Sequence, residues 1–182
     1  KAGHEVHVAS VAGGEPPRDG YDPGDPAQAA FLAAGLHLGT ARLADVDPAD
    51  YDAVLFAGGH GTMWDFPDNP DVARVGREVY ERGGVVAAVC HGPAALVGMT
   101  LSDGTPLVAG KRVAAFTNNE EKLRGVDGVV PFLLADALIE QGATHEPGPD
   151  WQANVVVDGR LVTGQNPASA TPLAERVAEL LA

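Results

Sequence analysis

Five apolar residues, Val85-Val86-Ala87-Ala88-Val89, run directly into Cys90, the only cysteine of the chain, and are followed by His91-Gly92-Pro93-Ala94-Ala95-Leu96. A run of five with no polar residue suits a strand buried on both faces and is too short for a helix. Gly92 and Pro93 then open a helical stretch, with the proline in a first-turn position where its missing N–H does no harm. Such a stretch reads as one buried strand running directly into a helix. Cys90 sits at a strand-to-helix turn above the carboxyl edge, the geometry of a nucleophile elbow. Helix-start N–H groups and the positive end of a helix dipole beside the sulfur predict that thiolate is favoured over thiol, and the thiolate is the nucleophile. A free cysteine is most often a small buried hydrophobe. The elbow context and the adjacent His91 reverse that preference here.

The totals narrow the function classes. A chain of 182 residues fits one domain with a sizeable core. Its net charge of −13 argues against nucleic acid or an anionic membrane as partner and reads as solubility. One cysteine excludes an internal disulfide framework and suits a reducing cytosol, so a cytoplasmic location is expected. No stretch approaches the ~20 apolar residues of a membrane span, and none reads as a signal peptide. No internal repeat, low-complexity tract or linker interrupts residues 1–182.

Taken in order, Lys1-Ala2-Gly3 reads as the last turn and glycine stop of a helix, and His4 to Ala9 alternates as a strand. A doubly wound sheet normally has a strand and crossover helix before this point. The expectation is that a first strand–helix unit of a few tens of residues is missing. Val11 to Pro26 is a loop and Ala27 to Gly35 a short helix. Leu38 to Val46 reads as irregular or weakly extended, Pro48 to Asp52 as a turn, and Ala53 to Ala57 as a second buried strand. Gly58-Gly59-His60-Gly61 follows at that strand's carboxyl end, where open α/β folds bind ligands. Glycines there let N–H groups approach a substrate oxygen. An oxyanion hole from the N–H groups of Gly59 and His91 is the physical reading, with Gly58 and His60 beside it as candidate substrate contacts. The turn is not a phosphate loop, for it lacks the required lysine and hydroxyl. His60 with Asp65 and His4 or His7 fits no zinc spacing, so no metal is expected. Trp64, Phe66 and Pro67 read as pocket wall or interface, or equally as core.

Asn69 to Arg82 reads as an amphipathic helix capped by Asn69, with Val72, Val75 and Val79 on its apolar side and Gly83-Gly84 as its end. Arg112 to Phe116 is another strand candidate, and Thr117-Asn118-Asn119-Glu120-Glu121 follows it. One acid of that pair is placed to orient the His91 imidazole, as a third member does in other triads. The other is a helix-start acid favoured by the dipole. Pro131 to Gln141 reads as a helix and His145 as surface or rim. Asn154 to Val157 and Arg160 to Thr163 read as a hairpin about Asp158-Gly159, and Pro172 to Leu181 as a final helix.

Ala88-Val89-Cys90-His91-Gly92-Pro93 resembles the nucleophile motif of the ThiJ/PfpI superfamily, itself related to class I glutamine amidotransferase domains. Phe56-Ala57-Gly58-Gly59-His60-Gly61-Thr62-Met63-Trp64-Asp65-Phe66-Pro67 matches a second motif. Gly125 to Phe132 is similar to a segment bordering the pocket in the heat-inducible chaperone and glyoxalase III branch. The resemblance runs from about Gly3 to the C-terminus. It implies a flavodoxin-like three-layer sandwich with a mostly parallel central sheet, and cofactor-independent chemistry on methylglyoxal or related small reactive aldehydes, giving lactate. Aligning Phe116 and Gly125 with that branch places Glu121 on the triad acid, with Glu120 as fallback, beside Cys90 and His91. It further implies a homodimer. The branch also carries a glutamate just after its first strand, a role no residue here takes; Glu5 is not a substitute. Relatives of this kind are also described as chaperones, deglycases, peptidases and amidases, which the fold does not separate. A stress-binding protein with Cys90 as oxidisable sensor is the second reading. The bulk of Trp64 and Phe66 argues against a peptidase. A histidine directly after the cysteine argues against glutamine amidotransfer.

Overall fold

The computed structural model describes residues 3–19 and 21–182, in two compact units, 1–47 and 48–182. Lys1 and Ala2, expected as the end of a helix, lie outside the described residues, as does Gly20 in the expected loop.

The first unit is small. Strand β1 (Ala9–Ser10) pairs in parallel with β2 (Ala41–Arg42), and helix α1 (Pro26–Ala33) lies between them in sequence. Asp25 caps α1 by accepting from the N–H groups of Ala27 and Gln28, and Pro26 occupies its first turn. The strand expected over His4 to Ala9 is largely absent. Alternation needs a ladder to become a strand, and before Ala9 the pairing with β2 is reduced to the N–H of Ala41 on the carbonyl of Val8.

The second unit holds a four-stranded sheet in the order β3 (Ala53–Phe56), β4 (Val85–Val89), β8 (Leu161–Gly164), β7 (Val155–Asp158). The first three run parallel and β7 is antiparallel to β8. All five residues of β4 are buried. Val85, Ala87 and Val89 form a core with Val162 and with Leu173 of α6 (Ala170–Leu180). The opposite face of β3 and β4, with Phe56 paired to Ala88, meets α3 (Pro70–Glu81). Helices on both faces of a mostly parallel sheet make the flavodoxin-like three-layer α/β sandwich. β3 is not the fully buried strand expected. It is the edge of this sheet, and Leu55 is 46% exposed.

Local signals set the remaining elements. Asn69 caps α3 by accepting from the N–H groups of Asp71 and Val72, and Val72, Val75 and Val79 are buried. Gly83 turns the chain at φ +95°, and a side chain on Gly84 would strike the carbonyl oxygens of Asp52 and Val79, so the double glycine is what lets α3 run into β4. A short helix α2 (Thr62–Asp65) precedes α3. Of the strand expected over Arg112 to Phe116, only β5 (Arg112–Val113) forms a ladder, in parallel with β6 (Thr144–His145). Beyond it the N–H of Ala114 goes to the Thr163 hydroxyl and that of Phe116 to the carbonyl of Cys90. Helix α4 (Asn118–Arg124) follows, and α5 (Leu134–Glu140) is shorter than expected at its start, where Leu133 supplies no capping side chain. The β7–β8 hairpin forms with Gly159 at φ +60°.

Candidate active site

Cys90 has φ +63°. The left-handed region costs a residue with a Cβ about 1–2 kcal/mol, so the surroundings must hold it there. Two hydrogen bonds do so: the N–H of Cys90 donates to the carbonyl of Gly164 at 2.8 Å, and that of Phe116 to the carbonyl of Cys90 at 3.0 Å. Close packing adds to them. A methyl group on Gly58 would lie 2.7 Å from Cys90 Cβ, and one on Gly92 would lie 2.2 Å from the carbonyl oxygen of Phe56. The elbow therefore forms as its sequence predicts. The helix after it does not, because Gly92–Leu96 is a 3-10 turn of five residues.

That difference matters for the sulfur. The expectation of a favoured thiolate is overturned: burial pushes the Cys90 thiol up to about 11, and the negative charges of Glu120 and Glu121 push the same way. The backbone N–H groups of His91 and Gly59, which donate toward the sulfur, oppose this without overcoming it. A short 3-10 turn has no long helix dipole to add. Cys90 rests as a thiol and needs a base. His91 Nδ1 lies 3.5 Å from Sγ.

His91 is fully buried and held on its far side by Glu121, whose Oε1 lies 2.8 Å from His91 Nε2. A proton on Nε2, donated to the carboxylate, leaves Nδ1 as the acceptor facing the thiol. The Phe116 ring packs on the imidazole at 4.3 Å between centroids. Glu120 does something else. With Thr117 it forms a capping box at the start of α4, and it also accepts from the Trp151 N–H and the Asn166 amide. Burial alone raises its carboxyl, but these donors outweigh burial and hold it below its ordinary range. The structure thus brings Cys90, His91 and Glu121 into one line and assigns Glu120 to the helix start.

Residues 1–180 match the DJ-1/PfpI family profile. The chain belongs to the DJ-1/PfpI family. It is 40% identical over 143 residues to the glutathione-independent glyoxalase HSP31 of Saccharomyces cerevisiae, an alignment covering 75% of this chain and 60% of that protein. Among solved structures it is similar to glyoxalase III of Candida albicans, with 37% identity and a TM-score of 0.75 over 80% of this chain and 64% of that one. It is also similar to the Rapid Encystment Protein 24 KDa of Francisella tularensis, with 40% identity and a TM-score of 0.93 over 97% of this chain and 81% of that one. The chain spans about 60% of the length of the first curated relatives it matches.

The other candidates of this DJ-1/PfpI member are placed as follows. Gly59 has φ +112°, and its carbonyl accepts from the Thr62 hydroxyl, which also reaches the carbonyl of His91 at 3.1 Å. Thr62 so ties the glycine turn to the elbow, a role no sequence signal announced. His60 lies against His91 and Glu121. These three offer donor atoms within 4.8 Å of one another, so they could hold a metal ion only in exchange for the contacts between the two Nε2 atoms and the Glu121 carboxylate. His4, His7 and Asp65, weighed with His60 from sequence, are not in that group. Trp64 is not core, for it is 54% exposed, while Phe66 packs edge-on against Phe56. His145 is half-buried and borders an open cavity of about 390 Å³ that includes Asp136 and Asp150 but none of Cys90, His91 or Glu121. Burial lowers its pKa. Among the described residues, no helix is long and apolar enough to cross a membrane.

Proposed function

We propose that the protein is a glyoxalase III-type enzyme that converts methylglyoxal and water to lactate without glutathione. The observation that carries this reading is a thiol with a base 3.5 Å away, the base itself fixed by a buried carboxylate. The names of its relatives, glutathione-independent glyoxalase and glyoxalase III, point to the same substrate class.

The chemistry follows from the arrangement. As the Cys90 sulfur bonds to the aldehyde carbon, its proton passes to His91 Nδ1, and the Nε2–H bond to Glu121 stabilises the imidazolium. The aldehyde oxygen takes up charge beside the N–H groups of Gly59 and His91, then a proton, giving a hemithioacetal. His91, neutral again after protonating that oxygen, takes the proton from the former aldehyde carbon while the ketone oxygen gains one, giving an enediol; a proton returned to the neighbouring carbon and one lost from the hydroxyl on the sulfur-bearing carbon give a thioester of lactate. Water cleaves that ester, releasing lactate and restoring the thiol. One carbon is oxidised and its neighbour reduced, so the balance needs no external oxidant or reductant. Cys90 must remain reduced to act, which fits a reducing compartment such as the cytoplasm. The raised thiol pKa weighs against a role as an easily oxidised sensor.

The test is a mass balance. Whole protein incubated with methylglyoxal and no glutathione is expected to form one lactate for each aldehyde consumed. Loss of aldehyde without lactate, as in simple adduct formation, contradicts the reading.

A further inference from the structure

Glu121 has two carboxylate oxygens, and the steps above use one. Oε1 faces His91 Nε2 at 2.8 Å; Oε2 lies 3.4 Å from His60 Nε2. The His60 ring packs on His91 with centroids 4.1 Å apart and planes tilted by 42°. The side chains of His91 and Glu121 are 1% and 5% exposed, whereas His60 is 24% exposed and forms the accessible edge of the cluster.

The terminal torsion of a glutamate is broad and roughly two-fold, so a single hydrogen bond at one oxygen leaves the carboxylate free to rotate. A second donor at the other oxygen removes that freedom. Glu121 sets the tautomer and tilt of His91, and these decide whether Nδ1 faces the Cys90 sulfur. Reactive groups must be held within about 0.5 Å of productive geometry.

We propose that His60 is a positioning residue for Glu121. Its Nε2–H donates to Oε2, fixes the carboxylate plane, and through it keeps His91 aimed at Cys90. This role differs from the substrate contact that its place in the glycine turn suggests. It also explains why an imidazole, which supplies both a flat ring and an N–H, stands in a turn otherwise made of glycine. The inference rests on the reading of Cys90, His91 and Glu121 as the reacting machinery.

Two substitutions separate the donor from the ring. His60→Phe keeps a flat ring against His91 and removes the N–H. His60→Gln removes the ring and keeps an amide N–H near the position of Nε2. With methylglyoxal as substrate, His60→Phe is expected to lower kcat by about tenfold to a hundredfold with little change in KM, as small misplacements of catalytic groups do. It is also expected to shift the pH profile of kcat/KM that reports the base. His60→Gln is expected to recover most of kcat and the wild-type profile. A His60→Phe enzyme with wild-type kcat and pH profile would overturn the proposal. So would a His60→Gln enzyme as impaired as His60→Phe, or a rise in KM at unchanged kcat, which is the mark of a substrate contact. Cys90→Ala serves as the separate control. If it turned over like wild type, the functional reading would fail and this inference with it. If it is inactive, the His60 variants judge the inference alone.

Discussion

At the residue scale, the decisive feature is a sulfur with two opposing influences on it. Two N–H groups at Sγ favour the thiolate; burial and two nearby carboxylates favour the thiol, and the latter win. In the proposed reaction the proton therefore passes to His91 during attack, with no thiolate stored beforehand. The consequence is measurable by alkylation. The rate of Cys90 modification by iodoacetamide is expected still to be rising by about tenfold per pH unit at the ordinary thiol value of 9.0, heading for a plateau near 11. A plateau below 9.0 would contradict this account of the resting sulfur. The elbow was legible in the sequence because a short apolar run ends at Cys90 and Gly92-Pro93 turn the chain directly after it, although the helix they were expected to open is a 3-10 turn. The sulfur's pKa was not legible. It depends first on how deeply the folded chain buries the sulfur, and then on Glu120 and Glu121, which are brought near only by the packing of a distant segment.

At the scale of elements, helix α4 decides which acid serves His91. Thr117-Asn118-Asn119-Glu120 has the spacing of a capping box, and with Glu120 committed to the cap the next residue is left to meet the imidazole. That signal was present in the sequence and is sufficient to separate the two acids. The shortened β5 was not legible, since it reflects a hydroxyl, Thr163, taking an N–H that a strand would have supplied with a carbonyl. Glu120 joins α4 to the segments carrying Trp151 and Asn166, and it titrates below its ordinary 4.5 in the fold. A depressed carboxylate contributes stability that is full above the unfolded value and is lost as pH falls through the folded one. Glu120→Gln is therefore expected to be less stable than wild type above pH 4.5, with the gap closing on acidification. Thr117→Ala, which removes the cap alone, is expected to cost about 1 kcal/mol. Urea unfolding at a series of pH values checks both, and a gap for Glu120→Gln that widens toward acid would contradict the assignment.

At the scale of the whole molecule, the second unit gathers the proposed catalytic and positioning groups from three separate segments at the carboxyl edge of one sheet. His60 follows β3, Cys90 and His91 follow β4, and Glu121 lies in α4 beyond β5. The sheet order places β3, β4 and β8 side by side, so Gly164 at the end of β8 can hold the Cys90 backbone in its strained conformation while Phe116 braces the imidazole. The buried strand β4 was readable from its apolar run, whereas the same kind of run did not reveal that β3 is a partly exposed edge strand. An acid of the stretch ending in Glu121 was expected at His91, and the resemblance pointed to Glu121; the approach of His60 to that pair was not legible, because it depends on side-chain directions that spacing in the sequence does not encode. The most direct measurement of the central claim is turnover of methylglyoxal by Cys90→Ala in the whole protein, with folding checked by its thermal midpoint. A folded variant without lactate formation above the uncatalysed rate is the expected result. A folded variant that forms lactate at the wild-type rate would contradict the account.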